Sequence, residues 1–195
     1  MTDPNAPGTP EFVAYRNSTP GKRMGAGALI RDAEGRVLLV EPTYKPSWEI
    51  PGGAVEADES LRAACERELR EELGVDLVVG RMLVLEWQGP EPDRTESVMV
   101  VYDGGVLHDA SRLRLPADEL ASYAFVAEPD LDSVLADRLA RRVRAGLLAV
   151  ADGTLHELEH GIDVTGSIRQ LAAPPSAAGR RAPGVESPIS RSRRR

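Results

Sequence analysis

Between about residue 24 and residue 150, apolar positions along the chain follow two rhythms: short runs that suit strands, and longer stretches with a three-to-four-residue period that suit helices. Residues 25–31 and 36–41 are apolar runs on either side of Asp32-Ala-Glu-Gly35, which predicts a hairpin with a four-residue turn. Residues 44–53, with two prolines and paired glycines, interrupt regular structure. From Glu59 or Ser60 to Leu73, the apolar residues Leu61, Cys65, Leu69 and Leu73 stand four apart, so this stretch is predicted as a helix, which Gly74 stops. Residues 77–86 and 97–102 read as strands joined by a polar loop, and residues 123–126 as a further strand. A second helix is predicted from about residue 131 to 150, burying Val134, Leu135, Leu139, Val143, Leu147 and Leu148 and turning its arginines outward. The order ββαβββα predicts an α/β (α+β) fold, a mixed sheet sandwiched between helices.

Composition sets the limits around this pattern. At 195 residues the chain suits one domain, expected over residues 16–168, with a flexible segment at 1–15 and a disordered basic tail at 169–195. A single cysteine, Cys65, excludes an intrachain disulfide and a multi-cysteine zinc site. Neither a signal-peptide pattern nor an apolar run of membrane-spanning length is present, so a soluble, cytoplasmic protein is expected. The net charge of −7 is unevenly spread: residues 169–195 hold seven arginines and one acid, +6, which leaves −13 on residues 1–168. An acidic body speaks against nucleic acid as a partner, and a polyanionic substrate would need bridging cations.

The predicted helix ends in RELREELG, residues 67–74, where Glu68, Glu71 and Glu72 crowd a C-terminus that favours bases. Glu66 with Arg70, and Arg67 with Glu71, account for part of this as an exposed salt-bridged face. Glu68 and Glu72 instead fall beside Leu61 and Cys65 at the edge of the apolar stripe. Half-buried carboxylates are costly without a partner, and hard divalent cations seek several oxygen ligands.

Residues 53–75 resemble the Nudix box, G-x5-E-x7-R-E-U-x-E-E-x-G-U with U apolar, at all nine specified positions: Gly53, Glu59, Arg67, Glu68, Leu69, Glu71, Glu72, Gly74 and Val75. Chance would produce this in a chain of such length with odds on the order of 10⁻⁷. The resemblance to Nudix hydrolases extends over about residues 24–150. It implies hydrolysis of a nucleoside diphosphate linked to another moiety, either a nucleoside triphosphate, oxidised or not, or a small nucleotide derivative. Water would attack the diphosphate with Mg²⁺ or Mn²⁺ as cofactor. It also implies metal binding by Glu68, Glu71, Glu72 and the backbone of Gly52 or Gly53, with Arg67 orienting the acids. Glu56 takes a supporting role, and Glu59 either pairs with Arg67 or serves the metals indirectly. The group that deprotonates water is a helix glutamate or an acid from the loop at 108–122, where Glu119 is the first candidate and Asp118 the second.

Arg23, Lys45 and Arg94 are the bases best placed along the chain to meet phosphates. Trp48, Trp87, Tyr123 and Phe125 could stack on a nucleobase, although Trp48 and Phe125 suit the core better. The expected partner is a small nucleotide, without membrane or nucleic acid, and a homodimer is compatible with the composition. Two other functions compete. A nucleotide-sensing module of the same fold would be expected to lose box carboxylates, and this box is intact. His156-Glu157-Leu158-Glu159-His160 satisfies H-E-x-x-H, a zinc-hydrolase motif that chance supplies in roughly one chain in a few hundred. That motif needs a helix and a third ligand, whereas glycines flank it on both sides.

Overall fold

The computed structural model describes residues 7–166. In chain order its elements are α1 (Pro10–Asn17), β1 (Arg23–Arg31), β2 (Val37–Pro42), β3 (Gly52–Ala54), α2 (Leu61–Leu73), β4 (Met82–Gln88), β5 (Ser97–Val106), β6 (Leu120–Val126), α3 (Asp137–Asp152), β7 (His156–Glu159) and β8 (Ile162–Asp163). The strands form one mixed sheet in the order β6-β2-β1-β5-β4-β7-β8, with β3 added to β1. β1 is buried along nearly its whole length because both faces of the sheet are covered. Ala28 and Ile30 of β1 pack with Ala64, Cys65, Leu69 and Leu73 of α2. Leu29, between them in sequence, packs on the opposite face with Ala140, Val143 and Ala149 of α3. The period-two alternation of a strand thus feeds two separate cores.

The expected hairpin is present. Asp32 Oδ1 accepts from the N–H groups of Glu34 and Arg36, and Gly35 takes the left-handed φ of 80° that closes the turn. Beyond the turn the strands part: β1 meets β2 at Arg31 and Val37, then pairs with β3 from Gly25 to Gly27. Val40 of β2 bridges to Glu49, and the Ala28 N–H donates to the Pro51 carbonyl. The Pro- and Gly-rich segment, read from sequence as irregular, therefore threads between β1 and β2 and contributes a short strand.

Four further differences from the sequence reading have identifiable causes. Residues 75–81 are not strand, although they alternate: Val75, Leu77 and Val79 pack on the core while Val78 is 91% exposed. The backbone of Val79 is instead satisfied from α2, with its N–H donating to Glu66 Oε1 at 3.3 Å and its carbonyl accepting from Arg62 Nη1. Arg70 pairs with Asp76 at 2.6 Å and not with Glu66, the partner expected from the sequence. The second helix begins at residue 137, because residues 128–133 form a 3₁₀ segment containing Pro129, and Val134 and Leu135 precede the helix. Its buried face is made of Ala140, Val143, Gly146 and Ala149 together with Arg142, while Leu148 is exposed. α1 falls in the stretch expected to be flexible and has no buried residue. The basic tail lies outside the described residues.

The H-E-x-x-H segment lies on β7 and in the turn after it, so its two histidines cannot share a helix face. His160 stacks edge-on against Trp87, 5.1 Å between centroids. His156 bridges α3 to β8 through Asp163 Oδ2 at 2.5 Å and Asp152 Oδ2 at 2.9 Å. These acids, Asp163 first, raise its pKa above the ordinary histidine value against the opposing effect of burial. A raised folded-state pKa means that the charged form stabilises the fold fully below the unfolded pKa, and that this contribution is lost as pH rises through the folded value. As pH rises above the ordinary histidine value of about 6.5, the urea midpoint should therefore fall by more in the wild type than in His156→Gln. Equal slopes in the two proteins would show that the bridge contributes nothing.

Candidate active site

α2 positions most of the acids. Ser60 caps it, accepting from the Ala63 N–H at 3.2 Å, and Gly74 ends it at φ 65°. Leu69 and Leu73 anchor its inner face at zero exposure, which fixes the rotation of the helix and presents Glu68 and Glu72 toward β3. The Glu72 carboxylate accepts from the Gly52 N–H at 2.8 Å. The Glu68 carboxylate lies directly on Gly53, so close that a Cβ there would overlap it. Gly52 has φ 139°, and a Cβ on it would fall on the Ala26 carbonyl oxygen and the Gly27 Cα. The paired glycines thus bring β3 against both β1 and the acidic face of the helix.

Arg67 organises the remainder. Its guanidinium donates to both oxygens of Glu59 at 3.0 Å each, to Glu68 at 2.9 Å, to Glu71 at 3.1 Å and to the Ala54 carbonyl at 3.0 Å. Glu59 accordingly ionises below the ordinary carboxylate range, chiefly through Arg67. Glu59 in turn accepts from the Glu56 N–H at 3.2 Å, whereas the Glu56 side chain is exposed. Of the alternatives for Glu59, the arrangement has the pairing with Arg67.

The inner acids behave in the opposite way. Burial raises the Glu72 pKa to about 7, with further upward pressure from Glu68, Glu49 and Glu119, against the lowering effect of the Gly52 N–H. Glu68 is also raised, by burial first, with Glu71 and Glu119 adding to it and Arg67 opposing. Glu119 is exposed at the start of β6, tied by its carbonyl to the Thr43 N–H at 2.9 Å, and its charge reaches both inner acids. The neighbouring Asp118 offers its carbonyl to Thr43 Oγ1.

Beside this acidic face opens a cleft of about 620 Å³. It is lined by Gly52–Ala54 and Val55, by residues of β1 and β5, and by the start of α3. Arg23 and Arg94, two of the three bases expected to meet phosphates, line it. Lys45 does not: it pairs with Glu49 and lies over the Tyr44 ring. Arg23 makes no ion pair among the described residues, and Arg94 is held by Glu91. Trp48 both packs on the α3-side core and lines the cleft, while Phe125 packs on the α2-side core. Trp87 donates to Glu96 at 3.0 Å, and Tyr123 meets Phe125 edge-on at 6.4 Å.

Sequence reasoning missed Arg138, Arg142, Gln88 and Ser97, all of which line the cleft. Arg142, expected among the outward-facing arginines, is 7% exposed and pairs with the fully buried Glu86. The available signal was Glu86 itself, an acid inside an otherwise apolar strand.

Chemically, the site offers hard oxygen donors to a cation. Glu68 and Glu72 are half-buried acids whose charges repel each other, and Gly53 leaves open backbone against one of them. This donor chemistry fits Mg²⁺ or Mn²⁺ rather than a softer metal. Among the described residues no three acidic, histidine or cysteine side chains already converge as a cage, because Arg67 engages Glu71 and the Gly52 N–H engages Glu72. No helix among the described residues is long and apolar enough to cross a membrane.

The chain is similar to several known proteins. The chain is 46% identical over 57 residues to the CTP pyrophosphohydrolase of Escherichia coli K12, covering 27% of this chain and 42% of that protein. It is 48% identical over 63 residues to the putative 8-oxo-dGTP diphosphatase 2 of Mycobacterium tuberculosis, covering 28% and 43%. The match thus spans about two fifths of the length of each of these relatives. Among solved structures, a UDP-X diphosphatase superposes with a TM-score of 0.60 at 20% identity, covering 76% of this chain and 74% of that one, a likeness of fold. A MutT NUDIX hydrolase from Burkholderia pseudomallei superposes with a TM-score of 0.53 at 26% identity, covering 65% and 98%. A NUDIX domain model matches residues 21–147, about two thirds of the chain, and the protein belongs to the NUDIX family.

Proposed function

We propose that this chain hydrolyses a diphosphate linkage in a nucleoside triphosphate or a small nucleoside diphosphate derivative, with Mg²⁺ or Mn²⁺ as cofactor. The observation that carries this reading is the placement of Glu68 and Glu72 against Gly52 and Gly53, two glycines that line a cleft together with Arg23 and Arg94. Relatives that match part of the chain bear names of this activity, a CTP pyrophosphohydrolase and a putative 8-oxo-dGTP diphosphatase.

Glu68, Glu71 and Glu72, with the carbonyl of Gly52 or Gly53, would hold the cation. When bound, such an ion neutralises diphosphate charge and acidifies water. Arg67 fixes the carboxylates of Glu68 and Glu71 in place and touches no substrate. Arg23, without an ion pair among the described residues, meets a phosphate, and Arg94 can do so by leaving Glu91. Glu119 is the acid assigned to take the proton from the attacking water or to serve as an additional ligand, since it is exposed and lies within electrostatic reach of both inner acids.

A panel of nucleoside triphosphates and nucleoside diphosphate derivatives, incubated with Mg²⁺ or Mn²⁺, tests this by the release of monophosphate and phosphate products. Release that does not depend on the metal, or none from any compound, overturns the proposal. The cation should also bind without substrate. At a hundredfold excess over its dissociation constant it stabilises the fold by about 2.7 kcal/mol. For a chain of this size that corresponds to a melting temperature roughly 5–10 °C higher. Glu68→Gln should remove most of that rise, and a melting curve indifferent to the metal would return the acids to being a polar surface.

A further inference from the structure

Where β4, β5 and α3 meet the cleft, three polar side chains line it while at least nine-tenths buried: Gln88, Ser97 and Arg142. Arg142 Nε donates to Glu86 Oε2, and Glu86 is 0% exposed. Neither Nη nitrogen of Arg142 has a partner among the described residues, so the outer edge of the guanidinium is uncommitted at the cleft. The other Glu86 oxygen, Oε1, is buried without a donor among the described residues. An ion pair buried with an unsatisfied acceptor is a poor device for stability, and apolar residues of similar volume would serve the fold as well.

The chemistry of that edge is specific. Two parallel N–H groups match two adjacent acceptors lying in one plane. Glu86 already cancels the charge of Arg142, so a neutral acceptor pair suits the edge better than a further anion, which would leave the buried site with net negative charge. Phosphate has a better counter-charge in Arg23. Among nucleobases, guanine presents O6 and N7 as an adjacent acceptor pair, whereas adenine places a donor beside N7. Ser97 Oγ reaches Gln88 Oε1 only at 3.5 Å, leaving the Gln88 amide nitrogen as an additional donor, and Trp48 lines the same cleft with an aromatic surface.

We propose that Arg142, held by Glu86, is a specificity-determining residue that reads the O6/N7 edge of a guanine-type base. The inference rests on the reading of the substrate as a nucleotide, but not on its hydrolysis. It is tested by calorimetric titration of the protein with GMP and with AMP in EDTA, where no diphosphate or metal takes part. GMP should bind roughly tenfold or more tightly than AMP, and 7-deaza-GMP, which lacks the N7 acceptor, should lose most of that advantage. Arg142→Lys keeps a positive charge opposite Glu86 but lacks the two-nitrogen edge, so the GMP-to-AMP ratio should collapse toward one. The 7-deaza comparison needs only wild-type protein and stands even if the variant does not fold. Equal affinity for the two nucleotides, no binding of either, indifference to 7-deaza substitution, or a preference retained in folded Arg142→Lys would overturn the assignment. Equal weakening of both nucleotides by Arg142→Lys with the ratio preserved would mark Arg142 as a phosphate ligand instead. A GMP preference without metal-dependent hydrolysis of any nucleotide would leave the base site standing and sink the proposed activity; hydrolysis without base preference would do the reverse.

Discussion

Glu72→Gln is expected to lower metal-dependent turnover by on the order of a thousandfold, corresponding to about 4 kcal/mol of transition-state stabilisation. The substitution preserves the shape of the side chain and its ability to accept from the Gly52 N–H, so its effect falls on charge. In the metal-free protein, burial and the surrounding acids raise the Glu72 pKa to about 7. A raised folded-state pKa means that the protonated form is favoured by the fold and that ionisation costs stability as pH climbs through that value. At about pH 8 the wild type bears this cost and the glutamine variant does not. Glu72→Gln should thus melt no lower than the wild type without metal, gain less from Mg²⁺, and lose turnover. Steady-state kinetics and melting curves on the same samples check the three together. Full activity in the variant would remove Glu72 from the mechanism, and a large drop in the metal-free melting temperature would make its role structural.

Gly52→Ala should damage both fold and activity. The position combines φ 139° with contact against the backbone of Ala26 and Gly27, which cannot rotate away as a side chain would. Strain in that region of conformational space costs about 1–3 kcal/mol by itself. Displacement of β3 adds to this, for an expected total of about 2–4 kcal/mol in urea denaturation. Because the same loop carries Gly53 against Glu68, a shift of about 1 Å should reduce kcat/KM roughly a hundredfold. Gly21→Ala is the internal control: a Cβ there meets nothing within 4 Å, and its effect should stay within about 0.5 kcal/mol. Comparable behaviour of the two variants would mean that β3 is not held against β1.

What could be read in advance and what could not divide along a physical line. The turn of the first hairpin, the cap and stop of α2, and the apolar stripe through Cys65, Leu69 and Leu73 depend on neighbours a few residues away, and each appears where local rules place it. The strand expected through residues 77–81 fails because alternation reports burial, not the identity of the backbone's partners. There the partners are Arg62 and Glu66 of α2 rather than another strand. The short β3 was hidden for the converse reason: Gly52 and Gly53 have the composition of a loop, and only the close approach of β1 makes them a strand.

The same line runs through the cleft. Arg67, Glu68 and Glu71 stand within little more than one turn of one helix, so helical geometry alone brings the guanidinium to two of the three carboxylates. By itself, then, the sequence determined the acidic box, its arginine hub and the family. Arg142 and Glu86 are 56 positions apart, on α3 and β4, and Lys45 and Arg94 looked equally suited to a phosphate. Only the packing of α3 across the sheet buried Arg142 beside the cleft, whereas Lys45 is taken up by Glu49, an acid four residues on along the same segment. The burial of Arg142 against Glu86 depends on contact between elements distant along the chain, which no local pattern of residues encodes.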